Sequence, residues 1–135
     1  MDGRFGVVDK DAFAKLAGIQ IVEAGPGRAV ARMAIRPEHL NGLGLVHGGA
    51  VFTLADVAFA AACNPPGQPT VAINVSISFL KAATAGTLTA TCTEDSFGGR
   101  IGAYTAHVTD ESGQIVAVFH GLAYRRSTGA AATGG

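Results

Sequence analysis

Charged residues are scarce in this chain of 135 residues: they make up 15% of it, against about a quarter in ordinary globular domains. Ten basic and ten acidic residues balance to zero net charge, and no run of Lys or Arg occurs. The sequence therefore lacks the basic footprint of a nucleic-acid-binding protein. With 48% apolar residues, some of the surface of one chain is expected to be covered by another. This composition predicts an obligate oligomer.

Cysteine is also rare. Cys63 and Cys92 have neither metal-ligand nor Cys-x-x-Cys spacing, which favours buried, reduced thiols in a cytoplasmic protein. The charged N-terminus shows no secretory signal, and the most apolar segment, residues 51–63, is too short to span a bilayer. No metal cluster, dinucleotide glycine pattern or nucleophilic serine motif is visible. We expect no cofactor, no metal and neither a membrane nor a nucleic acid as partner.

Hydrophobic periodicity predicts one α+β domain over residues 1–126, followed by a disordered tail over 127–135. A short helix is expected at 9–17 and a long apolar helix at 50–63, which Pro65-Pro66-Gly67 ends. Residues 19–23 alternate only weakly. Strands are expected at 28–35, 71–79, 86–94, 100–109 and 114–124, the last four as an antiparallel meander. A sheet curled around the long helix would bury it on all sides.

Asp56 is the only charged residue of the long predicted helix, and its neighbours one turn away are Phe52, Thr53, Phe59 and Ala60. An ionised carboxylate in such surroundings is costly unless something uses or satisfies it. Desolvation would raise its pKa toward the range that suits a general base. The alternatives are a solvated acid on an exposed stripe and a hydrogen bond at a subunit interface.

The sequence His47-Gly48-Gly49 begins this helix. The first helical N–H groups are unpaired donors at the positive end of the helix dipole, where they could bind a phosphate or polarise a carbonyl. A tight turn is the alternative for the glycines. His47 could be a base, but a hydrogen-bonded structural role is favoured. Asn41, in the same glycine-rich loop, could orient a water or the acid.

Gly48 and Asp56 are too far apart to serve one carbonyl within a single chain. Eight residues separate them, which corresponds to about 12 Å along a helix axis. Two such helices running antiparallel across a twofold axis would bring Gly48 of one chain to Asp56 of the other. The site would then be shared between subunits.

The run from Asn41 to Asp56, with the pattern Asn-x5-His-Gly-Gly-x6-Asp, resembles the signature of hotdog-fold thioesterases. Its continuation through Asn64 is similar to the phenylacetate-degradation (PaaI-like) branch, and the similarity extends over roughly residues 10–126. The resemblance implies a hotdog fold, in which a curved antiparallel sheet wraps a long central helix. It also implies homodimers joined sheet edge to sheet edge, commonly doubled into tetramers, and hydrolysis of acyl-CoA thioesters at the dimer interface.

The same resemblance implies roles for individual residues. Gly48 would donate its backbone N–H to the thioester carbonyl, and Asp56 of the partner subunit would be base or nucleophile. Asn41 would place the water or the acyl group, while His47 would shape the loop. The candidate substrate-binding residues are Gly49, Asn74, Lys81 and Arg100, the last two as contacts for CoA phosphates.

One position departs from the pattern of this family. Some relatives carry a serine on the strand after the helix that helps to hold the lytic water. The matching position here is Ala72, with Asn74 and Ser76 nearby. The second partner of the water is therefore not identified by the resemblance.

We therefore expect an acyl-CoA thioesterase for small, medium or aryl-acetyl CoA esters, in which Asp56 activates water or attacks directly to form an anhydride. One alternative is a non-catalytic acyl-CoA sensor on the same fold. Such a regulator needs an effector domain, and fewer than 20 residues precede the weakly alternating segment at 19–23, the first candidate strand. The other alternative is a hotdog enoyl-CoA hydratase, which uses an Asp/His arrangement that this sequence does not show.

Overall fold

A computed structural model describes residues 5–64 and 70–125. The predicted tail and the Pro65-Pro66-Gly67 helix stop lie outside these ranges. Short 3-10 helices occur at Gly6–Lys10 and Pro37–His39, and the α-helices are α1 (Ala12–Leu16) and α2 (Gly48–Cys63). The strands are β1 (Ile19–Gly25), β2 (Arg28–Ala34), β3 (Thr70–Phe79), β4 (Thr87–Phe97), β5 (Ile101–Thr109) and β6 (Ile115–Arg125).

These six strands form one antiparallel sheet in the order β1-β2-β4-β5-β6-β3. The α+β class and the β4-β5-β6 meander are confirmed, but the inclusion of β3 in that meander was wrong. β3 pairs with β6 at the opposite edge from β1. The seven residues 80–86 separate β3 from β4, more than the two to five of an ordinary hairpin loop, so the chain crosses to the other side of the sheet. The weakly alternating residues 19–23 belong to a full strand, in which Ile19 and Ile21 are buried.

Helix α2 packs across the concave face of the sheet, as the hotdog architecture requires. Phe59 is the centre of this contact: its ring centroid lies 5.5 Å from that of Tyr104 and 5.4 Å from that of Phe119. Gly121 of β6 makes room for the ring, because a Cβ at this position would lie 2.8 Å from it. The helix is thereby held in a fixed register on the sheet.

The helix is not buried on every side, in contrast to the prediction. Most of its residues are buried, but Phe52, Thr53, Asp56 and Ala60 remain partly exposed. Their spacing of three and four residues places them on one stripe of the helix. Within the described ranges, no helix combines the length and the apolarity that a bilayer crossing needs.

Strand β3 is one edge of the sheet, and β1 is the other. β3 has ten residues, none of them charged, and it pairs only with β6. Val71 and Ile73 are 47% and 52% exposed, and Phe79 at the end of the strand is 55% exposed. Long apolar edges are normally blunted by charges or covered by another chain. β3 has no such charge.

Candidate active site

The glycine-rich loop before α2 is held by hydrogen bonds around Asn41. The side-chain Oδ1 of Asn41 accepts from the N–H groups of Leu43 at 2.8 Å and of Leu45 at 3.2 Å. Gly44, with φ of 77°, donates its N–H to the backbone oxygen of Asn41 at 3.0 Å. This arrangement engages the carbonyl of the Asn41 amide, so the amide NH₂ is the part of the side chain left for a ligand.

His47 is the N-cap of α2. Its Nδ1 accepts a hydrogen bond from the N–H of Gly49 at 2.8 Å, which is the structural role favoured from the sequence. The N–H of Gly48 has no hydrogen-bond partner among the described residues. A Cβ at Gly48 would lie 3.2 Å from the ring of Phe79, so a side chain there would crowd this end of the helix. Of these two amides, Gly48 offers the free donor.

Gly48 lines a cleft of about 440 Å³, here called the Gly48 cleft, together with Asn41, Phe79, Leu80 and Lys81. Asn41 and Gly48 therefore line the same cleft. The ammonium of Lys81 is already engaged: it contacts the carboxylate of Asp110 and the side-chain oxygen of Gln114. This pair holds the pKa of the Asp110 carboxyl well below its usual range.

Asp56 lines a different cavity of about 930 Å³, here called the Asp56 cavity. His47, Gly49 and Thr53, from the start of the same helix, share this cavity with it. Much of the remaining wall is apolar and comes from Phe13, Leu16, Leu40, Phe52 and Val57. No lining residue is common to the Gly48 cleft and the Asp56 cavity. Within one chain, therefore, Gly48 and Asp56 face separate spaces.

The Asp56 carboxylate is partly buried and accepts no hydrogen bond from residues 5–64 or 70–125. Desolvation by the surrounding apolar groups raises its pKa, and the negative charge of Asp11 raises it further. This is the direction predicted from the apolar neighbours in the helix. A desolvated carboxylate with both oxygens free is suited to accept a proton from water or to attack a carbonyl carbon.

Two predicted substrate contacts lie elsewhere. Asn74 is exposed on β3 beside a register shift and lines neither cavity. Arg100, at the turn before β5, donates from its guanidinium to the hydroxyl of Tyr124 at 2.9 Å. Ala72 occupies the position at which some relatives carry a serine. It pairs with Ala123 in the sheet and lines neither cavity.

The structure adds residues that the sequence reasoning did not assign to the site. Thr53 lines the Asp56 cavity and donates from its hydroxyl to the backbone oxygen of Gly49 at 2.7 Å. Thr53 lies one helical turn before Asp56, so helix periodicity alone could have placed it beside the acid. Phe13 of α1 and Asp11, the residue before this helix, also line the cavity. No local sequence pattern connects this segment with α2.

Among residues 5–64 and 70–125, the thiols and the other acids form no further centre. Cys63 and Cys92 are free and buried, and burial raises the pKa of each thiol to about 12. Thiols with such pKa values are protonated at neutral pH and are therefore poor nucleophiles. In the part of the chain that the structure describes, no group of three or more His, Cys, Asp or Glu residues is placed to hold a metal ion.

Comparison with known proteins relates this geometry to a family. Residues 43–117 match the family described as the thioesterase superfamily. The acyl-coenzyme A thioesterase PaaI of Escherichia coli is 41% identical over 118 residues, which are 87% of this chain and 84% of that protein. Human acyl-coenzyme A thioesterase 13 is 34% identical over 73 residues, which cover 53% of this chain and 52% of that protein.

Solved structures agree with the sequence comparison. The structure of the E. coli PaaI protein from the phenylacetic acid degradation operon has a TM-score of 0.84 and 40% identity to this chain. The match covers 88% of this chain and 87% of that one. The TT0310 protein of Thermus thermophilus has a TM-score of 0.80 and 35% identity, over 84% of this chain.

Proposed function

This chain belongs to the thioesterase superfamily and is an acyl-CoA thioesterase, and we propose that it hydrolyses small, medium or aryl-acetyl CoA esters in a site that two subunits build together. The observation that carries this proposal is the separation of Gly48 and Asp56. These two residues line different spaces of one chain, although one carbonyl would need both. A site that joins the Asp56 cavity of one subunit to the Gly48 cleft of another resolves this separation.

The uncovered stripe of α2 supports such an assembly. After the first three residues of α2, Phe52, Thr53, Asp56 and Ala60 are the positions that its own chain leaves partly exposed. If a second α2 ran antiparallel along this stripe, the start of each helix would lie near the middle of the other. The offset of about 12 Å between Gly48 and Asp56 would then be bridged across the twofold axis.

The open edge of β3 supplies the second contact. Antiparallel pairing of two β3 strands about a twofold axis would continue the sheet from one subunit into the next. It would also cover the exposed side chains of Val71 and Ile73. We propose a homodimer of this kind, doubled into a tetramer, located in the cytoplasm, where the two free thiols stay reduced.

The reaction follows from these positions. The thioester carbonyl oxygen accepts a hydrogen bond from the N–H of Gly48, which also stabilises the oxyanion of the tetrahedral intermediate through the positive end of α2. In the general-base route, Asp56 takes a proton from water while the water oxygen attacks the carbonyl carbon. Collapse then breaks the C–S bond, and the proton on Asp56 passes to the leaving CoA thiolate. The amide NH₂ of Asn41 donates to the water or to the acyl group.

The nucleophilic route uses the same groups. Here the Asp56 carboxylate attacks the carbonyl carbon, CoA thiolate leaves, and water hydrolyses the resulting mixed anhydride. Single turnover in oxygen-18 water tests for the anhydride. Label incorporated into the Asp56 carboxylate indicates an anhydride that water opens at the aspartyl carbonyl. Label confined to the released acid indicates water attack at the acyl carbonyl, on either the thioester or the anhydride.

The wall of the Asp56 cavity favours an apolar acyl group. Phe13, Leu16, Phe52 and Val57 offer aliphatic and aromatic surface next to the carboxylate, which suits a phenyl ring or a short alkyl chain. The CoA part of the bound ester would extend along the Gly48 cleft of the other subunit. Lys81 and Arg100 are the candidate contacts for its phosphates, and each would have to exchange its present partner for phosphate.

Mixing two inactive variants tests the shared site. Asp56→Asn removes the acid, and Gly48→Ala keeps the N–H but places a Cβ 3.2 Å from the ring of Phe79, which crowds the donor. Each change is expected to inactivate the enzyme. Subunit exchange between the two variants forms dimers in which one site is intact and the other carries both changes. Random exchange at equal amounts should restore roughly a quarter of the wild-type activity. If the site lay within one chain, every site would carry one change, and mixing would restore nothing.

A substrate screen tests the reaction itself. Phenylacetyl, hydroxyphenylacetyl, benzoyl and straight-chain CoA esters are incubated with the enzyme, and release of free CoA thiol is measured. Hydrolysis with a preference for one class supports the proposal. Tight binding of these esters without hydrolysis would instead indicate a sensor, and hydration of an enoyl-CoA would indicate a hydratase.

A further inference from the structure

Asp11 brings a second carboxylate into the Asp56 cavity. It precedes α1 as the N-cap, and its Oδ1 accepts a hydrogen bond from the N–H of Ala14 at 2.9 Å. Both Asp11 and Asp56 line the cavity, although they lie far apart in the sequence. The cap hydrogen bond holds the Asp11 carboxylate in place, so its charge has a defined position relative to Asp56.

The other ionisable groups of the cavity are committed to different contacts. The guanidinium of Arg36 donates to the backbone oxygen of Leu16 at 2.9 Å. His39 is buried, with Nδ1 accepting from the N–H of Arg36 at 2.9 Å and Nε2 facing the backbone oxygen of Ala17 at 2.7 Å. In this arrangement Nε2 carries the proton and the ring is neutral.

The remaining groups add no cation that pairs with Asp56. His47 accepts from Gly49 through Nδ1, so this ring nitrogen is unprotonated. Glu38 is an exposed acid at the edge of the cavity. Cys63, two turns along α2, is a thiol whose pKa is raised to about 12 and which is therefore neutral. Arg36 and Glu38 keep their charges, but of the charged groups that line the cavity it is Asp11 whose charge raises the pKa of Asp56.

We propose that Asp11 is a positioning residue for the thioesterase reaction, whose fixed charge makes Asp56 a stronger base than its apolar surroundings alone would make it. This inference rests on the proposed role of Asp56. A neighbouring carboxylate favours the protonated form of Asp56, and it acts in the same direction as desolvation on the pKa of that group. Transfer of the proton from the attacking water to Asp56 then becomes easier.

The variant Asp11→Asn removes the charge of residue 11 but keeps its function as the N-cap of α1. Asn and Asp are equally good N-caps, so α1 should keep its start and the cavity its wall. Asp11→Ser preserves a cap without the charge and should behave in the same way, whereas Asp11→Glu keeps the charge and should restore the wild-type behaviour. The matched control is Glu38→Gln, which removes another carboxylate from the lining of the same cavity.

Two measurements test the inference. The first is the dependence of kcat on pH: its acidic limb should move to lower pH in Asp11→Asn, with a fall in plateau kcat of less than about tenfold, because only part of the base strength is lost. The second is a carbon-13 NMR titration of the Asp56 side-chain carboxyl, assigned by its absence in Asp56→Asn. In Asp11→Asn the midpoint of this titration should also move to lower pH. In Glu38→Gln it should remain at the wild-type value.

The outcomes distinguish the inference from the proposed function. If the NMR midpoint of Asp56 is the same in Asp11→Asn as in the wild type, or moves equally in Glu38→Gln, the role of Asp11 is overturned while Asp56 can still be the base. If the midpoint moves but the acidic limb of kcat does not, Asp56 is not the catalytic base. In that case the proposed mechanism fails, and the role of Asp11 fails with it.

Discussion

The ring of His47 and the amide of Gly49 form one hydrogen bond of 2.8 Å at the first turn of α2. This contact occupies the N–H of Gly49 and leaves that of Gly48 free toward a ligand. It also removes Nδ1 of His47 from any role as proton acceptor. The helix start is therefore arranged so that one amide is the donor and the histidine next to it is structural.

Replacing His47 separates a structural role from a chemical one. His47→Asn preserves a side-chain cap and should keep most of the activity, whereas His47→Ala loses the cap. Loss of an N-cap should lower the free energy of unfolding by about 1 kcal/mol. Urea denaturation and kcat for both variants check this. Equal, large losses of kcat in the two variants, with unchanged stability, would show that His47 takes part in the chemistry.

Substitution of the central acid tests catalysis. Asp56→Asn should leave the fold intact and lower kcat by at least about 10²-fold, the lower range for general-base catalysis. Circular dichroism checks the fold and steady-state kinetics with phenylacetyl-CoA checks the rate. Thr53→Val, which alters a neighbouring side chain in the same cavity, is a control for local packing. Wild-type turnover in Asp56→Asn would remove Asp56 from the mechanism.

The same substitution changes the dependence of stability on pH. Because the pKa of Asp56 is raised in the folded state, that state binds more protons than the unfolded chain between the two pKa values. Asp56 therefore lowers the stability of the wild type as the pH rises from the ordinary Asp pKa to the raised one. Asp56→Asn should not lose stability in this way between the two pKa values. The free energy of unfolding of Asp56→Asn relative to the wild type should therefore increase as the pH rises from the ordinary Asp pKa to the raised one, and then stay constant. Urea denaturation at a series of pH values measures it, and parallel curves would contradict it.

Sequence patterns were sufficient for the helix and most strands because both depend on local periodicity. The helix predicted at 50–63 follows from its apolar residues alone, although its partly exposed stripe was not predicted. The motif from Asn41 to Asp56 identified the candidate acid and donor. The position of β3 was not predicted, since pairing with β6 or β4 depends on the path of the link over residues 80–86. Asp11 was missed for the same reason: its proximity to Asp56 arises from the packing of α1 against the rest of the chain, which no short window contains.

The open edge of β3 should determine assembly. A lysine in place of Ile73 adds a charge to this apolar edge, and such charges are a common means of preventing edge pairing. Ile73→Lys should shift the protein toward monomer in sedimentation or light-scattering experiments and should lose activity with it. Ile115→Lys, at an exposed position on β6, is the matched control and should keep both. A stable, active dimer in Ile73→Lys would show that β3 is not the interface.

The apolar wall of the Asp56 cavity should determine which acyl groups are accepted. Phe13 is 62% exposed in the single chain, so its removal costs little stability, yet its ring lines the space next to the carboxylate. In Phe13→Ala, kcat/KM for phenylacetyl-CoA should fall by about tenfold or more, consistent with the 1–3 kcal/mol expected for lost apolar contact, while that for acetyl-CoA should change little. Leu43→Ala, at a position that is 83% exposed and lines neither cavity, is the control. If both esters lost kcat/KM equally in Phe13→Ala, the ring would serve the assembly or the fold, and the acyl group would have to lie elsewhere.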